Sequence, residues 1–173
     1  MLSITPSAPF SPQELTFIFT GSNTQAVATL VAINTLLMSA SATPVPDIVA
    51  LAATVSNDGI LHLPGPTGAG AFAVATSDLG IGSLITALAN TGSAALPVII
   101  VLCQTNPATG LCLSAIGRSV QTQINAGATP TFAIFATASG LIPLDPANNR
   151  IFVIFTDVNG IVRGRTSVAV ETQ

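Results

Sequence analysis

Apolar and polar positions alternate with a period of two along much of the chain, the pattern of strands with one buried face. In TFAIFAT (Thr131–Thr137), Phe132, Ile134 and Ala136 share one face, and Ala133 and Phe135 the other. In SVQTQI (Ser119–Ile124), Val120, Thr122 and Ile124 fall together. ILHL (Ile60–Leu63) sets His62 against Leu61 and Leu63, so the histidine points away from the face they bury. IVALAATV (Ile48–Val55) and LPVIIVLC (Leu96–Cys103) are apolar strands, and AFAVATSDLG and SLITALANTG are strand–turn units. RIFVIFTD and IVRGRTSVAVE flank Val158-Asn159-Gly160 as a hairpin. Nine to eleven short strands, with turn signals at intervals of about 8–12 residues, predict an all-β chain. The fold is a β-sandwich, Ig-like or jelly-roll-like.

The first 47 residues follow a looser pattern. Met1–Gln13 contains three prolines and three serines and reads as an extended arm. Residues 1–14 are assigned to that arm and 15–173 to a single sandwich domain; a break near Pro64–Gly70 is the alternative division. LTFIFT (Leu15–Thr20) sets Phe17 and Phe19 against Thr16, Ile18 and Thr20 and predicts a strand. QAVATLVAINTLLM (25–38) permits helix or strand by residue type; strand is favoured because its surroundings are strand-like. The run Ala26–Met38 is too short to cross a bilayer as a helix. Met1–Phe10 has neither the basic nor the apolar region of a secretion signal.

Charge changes the picture. Of 173 residues, four are basic, all arginine, and seven are acidic, giving a net charge of −3. Soluble domains usually carry about 25% charged residues; this chain carries 6%, with 49% hydrophobic. No basic residue precedes Arg118. Four arginines cannot neutralise a run of phosphates, which argues against nucleic acid as a partner. No polybasic segment exists to hold an anionic membrane. A dispersed monomer needs a charged, patch-free surface. This chain has little to build one from, so much of its outer surface is expected to meet protein or wall rather than water.

Residues with chemical potential are few. Cys103 and Cys112 flank QTNPATGL, a loop with two turn-forming pairs, and are expected at the ends of adjacent antiparallel strands joined by a structural disulfide. Such a bridge suits an oxidising compartment. His62 is the only histidine; it has no zinc cluster and no G-x-S-x-G nucleophile around it, so it is read as an exposed or hydrogen-bonded strand residue. Asp58 and Asp157 are read as hairpin-turn residues that bond their own backbone. Asp157-x-Asn159 matches the opening of a calcium loop but lacks the remaining acidic ligands. Asp145 with Asn148 and Asn149 is read as a turn rather than a cation site. Arg163 and Arg165 share a strand face and, with Arg150, are expected to form the one basic cluster. No catalytic, cofactor-binding or metal residue is assigned.

The strings CQTNPATGLC and SVQTQINAGATPTFAIFATASGLIPLDPANNRIFVIFTDVNGIVRGRTSVAV resemble a β-sandwich module of secreted, often repetitive bacterial surface proteins. VALAATVSNDGILHLPGPTGAGAFAVATSDLG fits the same pattern, so the resemblance spans roughly Ile48–Val170. The shared features are turns and core positions. The resemblance implies an extracellular or cell-surface module and carries no catalytic residues.

The sequence therefore leads to a non-catalytic extracellular structural protein, a homo-oligomer or polymer forming a fibre, sheath or surface layer. Leu15, Phe17 and Phe19 are the candidate subunit-contact strand, adding to a neighbour's sheet edge. The alternative is a carbohydrate-binding or adhesin module that takes a cell-surface glycan. Sugar platforms favour exposed aromatic rings, and the chain has no Trp and no Tyr.

Overall fold

The computed structural model describes residues 4–173. It is all-β, with eleven strands and no helix among the described residues. They are β1 (Phe10–Thr16), β2 (Thr35–Ala40), β3 (Ile48–Ala53), β4 (Ile60–Leu63), β5 (Ala69–Asp78) and β6 (Ser83–Asn90). β7 (Val98–Thr105), β8 (Ser119–Ile124), β9 (Thr131–Ala138), β10 (Arg150–Thr156) and β11 (Val162–Thr172) complete the chain. A five-stranded sheet in the order β4-β11-β10-β6-β8 faces a four-stranded sheet in the order β3-β5-β9-β7, and β1-β2 form a separate hairpin. Every pairing is antiparallel except β4 with β11.

Alternation decides what each sheet buries. Phe72 and Val74 of β5, Leu102 of β7, and Phe132 and Ile134 of β9 point inward from the four-stranded sheet. Ile85, Ile151, Val153, Phe155, Val168 and Val170 meet them from the five-stranded sheet. Leu61 and Leu63 close the β4 side of the core, with His62 turned outward as the alternation requires. On the same side of the sandwich β3 lies against β11, with Gly164 under Ile48.

From Ile48 onward the expected strands are present with ends shifted by a few residues. The β10–β11 hairpin forms as expected around Asp157–Gly160. The turn at Asn57–Gly59 is not a hairpin: β3 and β4 belong to different sheets, so the chain crosses the sandwich there.

The N-terminal region differs from the sequence expectation. The strand is Phe10–Thr16, inside the segment read as an arm, and only its end overlaps Leu15–Thr20. Its partner explains the shift. Ile33 N and Asn34 N donate to Leu30 O, and Ala32 has a positive φ of 65°, so the turn ends where β2 begins at Thr35. Thr16 pairs with Thr35, and no residue of β2 remains to pair with Phe17–Thr20. The register is interrupted between Phe10 and Gln13, around Pro12, which has no N–H to give to a ladder. Of residues 25–38, only the last four are in a strand.

Candidate functional site

The two outer faces of the sandwich differ in kind. The outward positions of the five-stranded sheet carry ionisable side chains, and most are tied to partners within the chain. His62 sits between two carboxylates: its Nε2 is 2.8 Å from Asp58 Oδ2 and its Nδ1 is 2.8 Å from Glu171 Oε1. Parallel pairing sets Glu171 directly beside His62 across 109 residues of sequence. The Asp58 carboxylate also accepts hydrogen bonds from Ser56 Oγ and Ile60 N. The His62 contact, with those two, holds the Asp58 carboxyl well below the usual carboxylate range. Asp58 in turn raises the His62 pKa above its ordinary value; partial burial opposes this, and Glu171 reinforces it.

This pairing gives stability a pH dependence. The raised histidine pKa contributes stability that is complete below the unfolded value of about 6.5 and is lost as pH rises through the folded value. The lowered Asp58 pKa contributes stability present above the ordinary Asp range and lost as pH falls toward the folded value. The thermal stability of the wild type is therefore expected to fall as pH rises from about 6.5 toward alkaline conditions, and His62→Gln is expected to remove that component. Parallel melting curves for the two proteins would contradict the assignment.

The arginines do not form the expected cluster. Arg163 donates from Nε to Asp157 Oδ2 at 2.8 Å, and its Nη2 lies 2.7 Å from the same oxygen. Burial opposes the Asp157 charge, but Arg163 and the amides of Ile161 and Asn159 outweigh it and hold the carboxyl below its ordinary range. Those same donors fill the oxygens that a calcium loop would use. Arg165 pairs with Glu14 of β1, whose other oxygen accepts from Thr35 Oγ1 of β2. Arg150 is buried opposite Ala169, four positions along β11 from Arg165. It donates to Pro146 O, Ser167 Oγ and Ser167 O, and burial pulls its pKa below the ordinary value. Asp145 accepts from the Asn148 side chain and Asn149 bonds Pro143 O, so that group is a closed turn.

Glu14 and Ser167 Oγ, which donates to Val31 O, tie the N-terminal segment to the outward face of β11. A cleft of about 390 Å³ lies between the hairpin and the chain leading into β3. It is lined by Ser39, Ser41, Thr43, Asp47 and Arg163 among others, and its one cation is already bound to Asp157.

The outward face of the four-stranded sheet carries no charged side chain. Across it run Leu51 beside Ala75, Ala53 beside Ala73 and Ala133, and Ala71 beside Phe135 and Val101. Ser77, Thr105, Thr131 and Thr137 supply its polar groups, and the Thr105 and Thr131 hydroxyls bond each other at 2.8 Å. Leu51 is 69% exposed on one edge and Ile99 is 59% exposed on the other, with exposed Ala73 and Ala75 between them. This surface was readable only as apolar residues on both faces of β3 and β5; the missing signal was which elements would cover it.

Cys103 and Cys112 are bonded, with Cα atoms 5.7 Å apart. The geometry corrects one detail. Cys112 is not in a strand but in a segment that returns along the free edge of β7, bridging Thr105, while Gly117 bridges Leu102. Leu113 N donates to Gln104 O, and Gln104 N to Ser114 Oγ, so this segment covers much of the β7 edge. Closing so short a loop stabilises the fold by about 2–3 kcal/mol.

Of the proposed contact residues, Leu15 lies within β1 opposite Leu36. Phe17 and Phe19 follow the strand end, with ring centroids 6.4 Å apart, and flank Ile18, which is 84% exposed. No helix among the described residues is long and apolar enough to cross a membrane.

No protein-family model matches the chain, and no curated protein matches it. Among solved structures, it is similar to the CARDB domain of a Pyrococcus furiosus protein, solved in complex with di-metal ions. The two share 11% identity with a TM-score of 0.33, over 73% of this chain and 88% of that one.

Proposed function

We propose that this chain is a non-catalytic extracellular structural module that self-assembles into a fibre, sheath or surface layer. The observation that carries the reading is the mismatch between its surface and its charges. Large apolar side chains such as Leu51, Val55 and Ile18 stand in solvent, while Arg163, Arg165, His62 and their carboxylate partners neutralise one another within the chain. Such a surface disperses a monomer poorly and suits contact with other protein. The disulfide supports an oxidising compartment outside the cytoplasm.

The joining element of this proposal is Phe17–Thr20. It extends β1 beyond its partner strand, with its backbone unpaired across the hairpin and its rings exposed, and would add to a sheet edge of the next subunit. The purified, non-reduced chain is expected to form regular oligomers or filaments in electron micrographs and by light scattering. The Phe17→Ser/Phe19→Ser double variant should leave folding intact and reduce particle size sharply. A wild-type chain that stays monomeric at millimolar concentration would sink the reading; a double variant that assembles as the wild type does would sink strand addition alone.

A further inference from the structure

We infer that the uncharged outward face of the four-stranded sheet docks a second copy of this chain, the same face of each laid against the other. The inference rests on the self-assembly reading and supplies a contact separate from Phe17–Thr20. The sandwich is unequal: its five-stranded side holds the charges and carries the tethered N-terminal segment, while the four-stranded side carries neither.

Three physical features select a second copy as the occupant. The first is charge. A partner bearing ionised groups would bury them against Leu51, Ala73, Ala133 and Ile99 with no counter-charge, losing their hydration without repayment. The chain is acidic, with net charge −3, yet like can meet like here because none of its seven carboxylates lies on this face.

The second feature is shape. Exposed Leu51 and Ile99 rise on the two edge strands; between them exposed Ala73 and Ala75 of β5 lie low, beside half-buried Ala133 and Phe135 of β9. The alanines of β5 let a second sheet approach closely there, and the bulky edge residues of one copy have room over the same alanines of the other. Stacked sheets ordinarily sit about 10 Å apart with their strands near 30° to one another.

The third is area. Four strands plus the Leu111–Gly117 segment along β7, at about 4.8 Å spacing, span about 24 Å, and the Ala69–Ser77 stretch of β5 spans about 26 Å at roughly 3.3 Å per residue. That is about 600 Å² in projection for each copy, or about 1,200 Å² in total, at the lower limit of specific interfaces. A reversible dimer is the expected product, seeding the larger assembly.

Sedimentation velocity on the full, non-reduced chain tests this, with Ala73→Glu and Leu51→Lys each placing a charge on the face and Val158→Glu placing one on the exposed β10–β11 turn. Ala73 and Leu51 are solvent-exposed, so circular dichroism should show the wild-type sheet signal in both variants. The expected result is a dissociation constant raised more than tenfold by Ala73→Glu and by Leu51→Lys and unchanged by Val158→Glu. Association unchanged by both face variants would overturn the docking face while leaving self-assembly standing. Equal weakening by Val158→Glu would also overturn it, because the effect would then follow net charge. A wild-type chain monomeric at millimolar concentration would overturn the face and the self-assembly reading together.

Discussion

Phe132→Ala is expected to destabilise the fold by about 3–5 kcal/mol, the range for deleting a fully buried aromatic side chain. Phe132 is wholly buried on β9 of the four-stranded sheet and meets Phe155 on β10 of the five-stranded sheet. The rings lie 5.4 Å apart between centroids at 59°, a tilted contact that adds about 0.5–1.5 kcal/mol to the area buried. Strands on both sides hold the cavity open, since β9 is central in its sheet and β10 in the other. Collapse into the void would require both sheets to move. For a domain of this size the midpoint of thermal unfolding should fall by roughly 6–20 °C. Phe17→Ala, by contrast, should shift stability by no more than about 0.5 kcal/mol, because that ring is exposed beyond β1. Calorimetry on the two variants checks the pair; a small effect at Phe132 would mean that the core is not organised around the contact.

The same phenylalanine shows what was legible in the sequence. Phe132, Ile134 and Ala136 could be placed on one face by counting, and all three are buried. Alternation sufficed wherever a strand runs between two clear turns, as in β8, β9, β10 and β11. It failed where a distant partner overrode local preference. Leu15–Thr20 has the stronger β character, yet β1 is displaced toward Phe10 because the turn at 30–34 fixes where β2 begins and Glu14 is tied to Thr35 and Arg165. The partners of His62 were hidden for a related reason. Asp58 is near in sequence, but Glu171 arrives through a parallel pairing that no hairpin logic anticipates. Arg163 and Arg165 were rightly placed on one strand, but spacing could not show that each already had its own carboxylate. The uncharged sheet face was visible only in part. Alanine alternating with phenylalanine and valine in β5 marks two apolar faces without saying which one another sheet will cover.

The seam that sets the two sheets in place rests on Gly164, and Gly164→Ala is expected to be among the most damaging single-methyl additions to this chain. A Cβ at that position would lie 2.0 Å from Ile48 O and 2.8 Å from Ile48 Cβ. The carbonyl is backbone of β3 and cannot swing aside as a flexible side chain would. β3 must therefore part from β11 by more than an ångström, which carries the edge of the four-stranded sheet with it. Overpacking in a filled core typically costs about 1–3 kcal/mol, and a backbone clash this close belongs at or above the top of that range. Neighbouring bonds would add to the loss. Arg163 and Arg165 flank the glycine, one holding Asp157 in the β10–β11 turn and the other holding Glu14 of the N-terminal hairpin. Gly117→Ala is the matched control. Its Cβ would approach nothing nearer than 3.4 Å, so reduced freedom of the unfolded chain should leave it neutral or stabilised by up to about 1 kcal/mol. Denaturant titration of the two alanine variants should thus give shifts of opposite sign or very unequal size. Equal, small shifts would mean that β3 and β11 are not in close contact and that the sandwich closes elsewhere. Because the β3 edge also carries Leu51 of the proposed docking face, a loosened seam should, on that proposal, also weaken dimerisation in Gly164→Ala at temperatures where the protein remains folded.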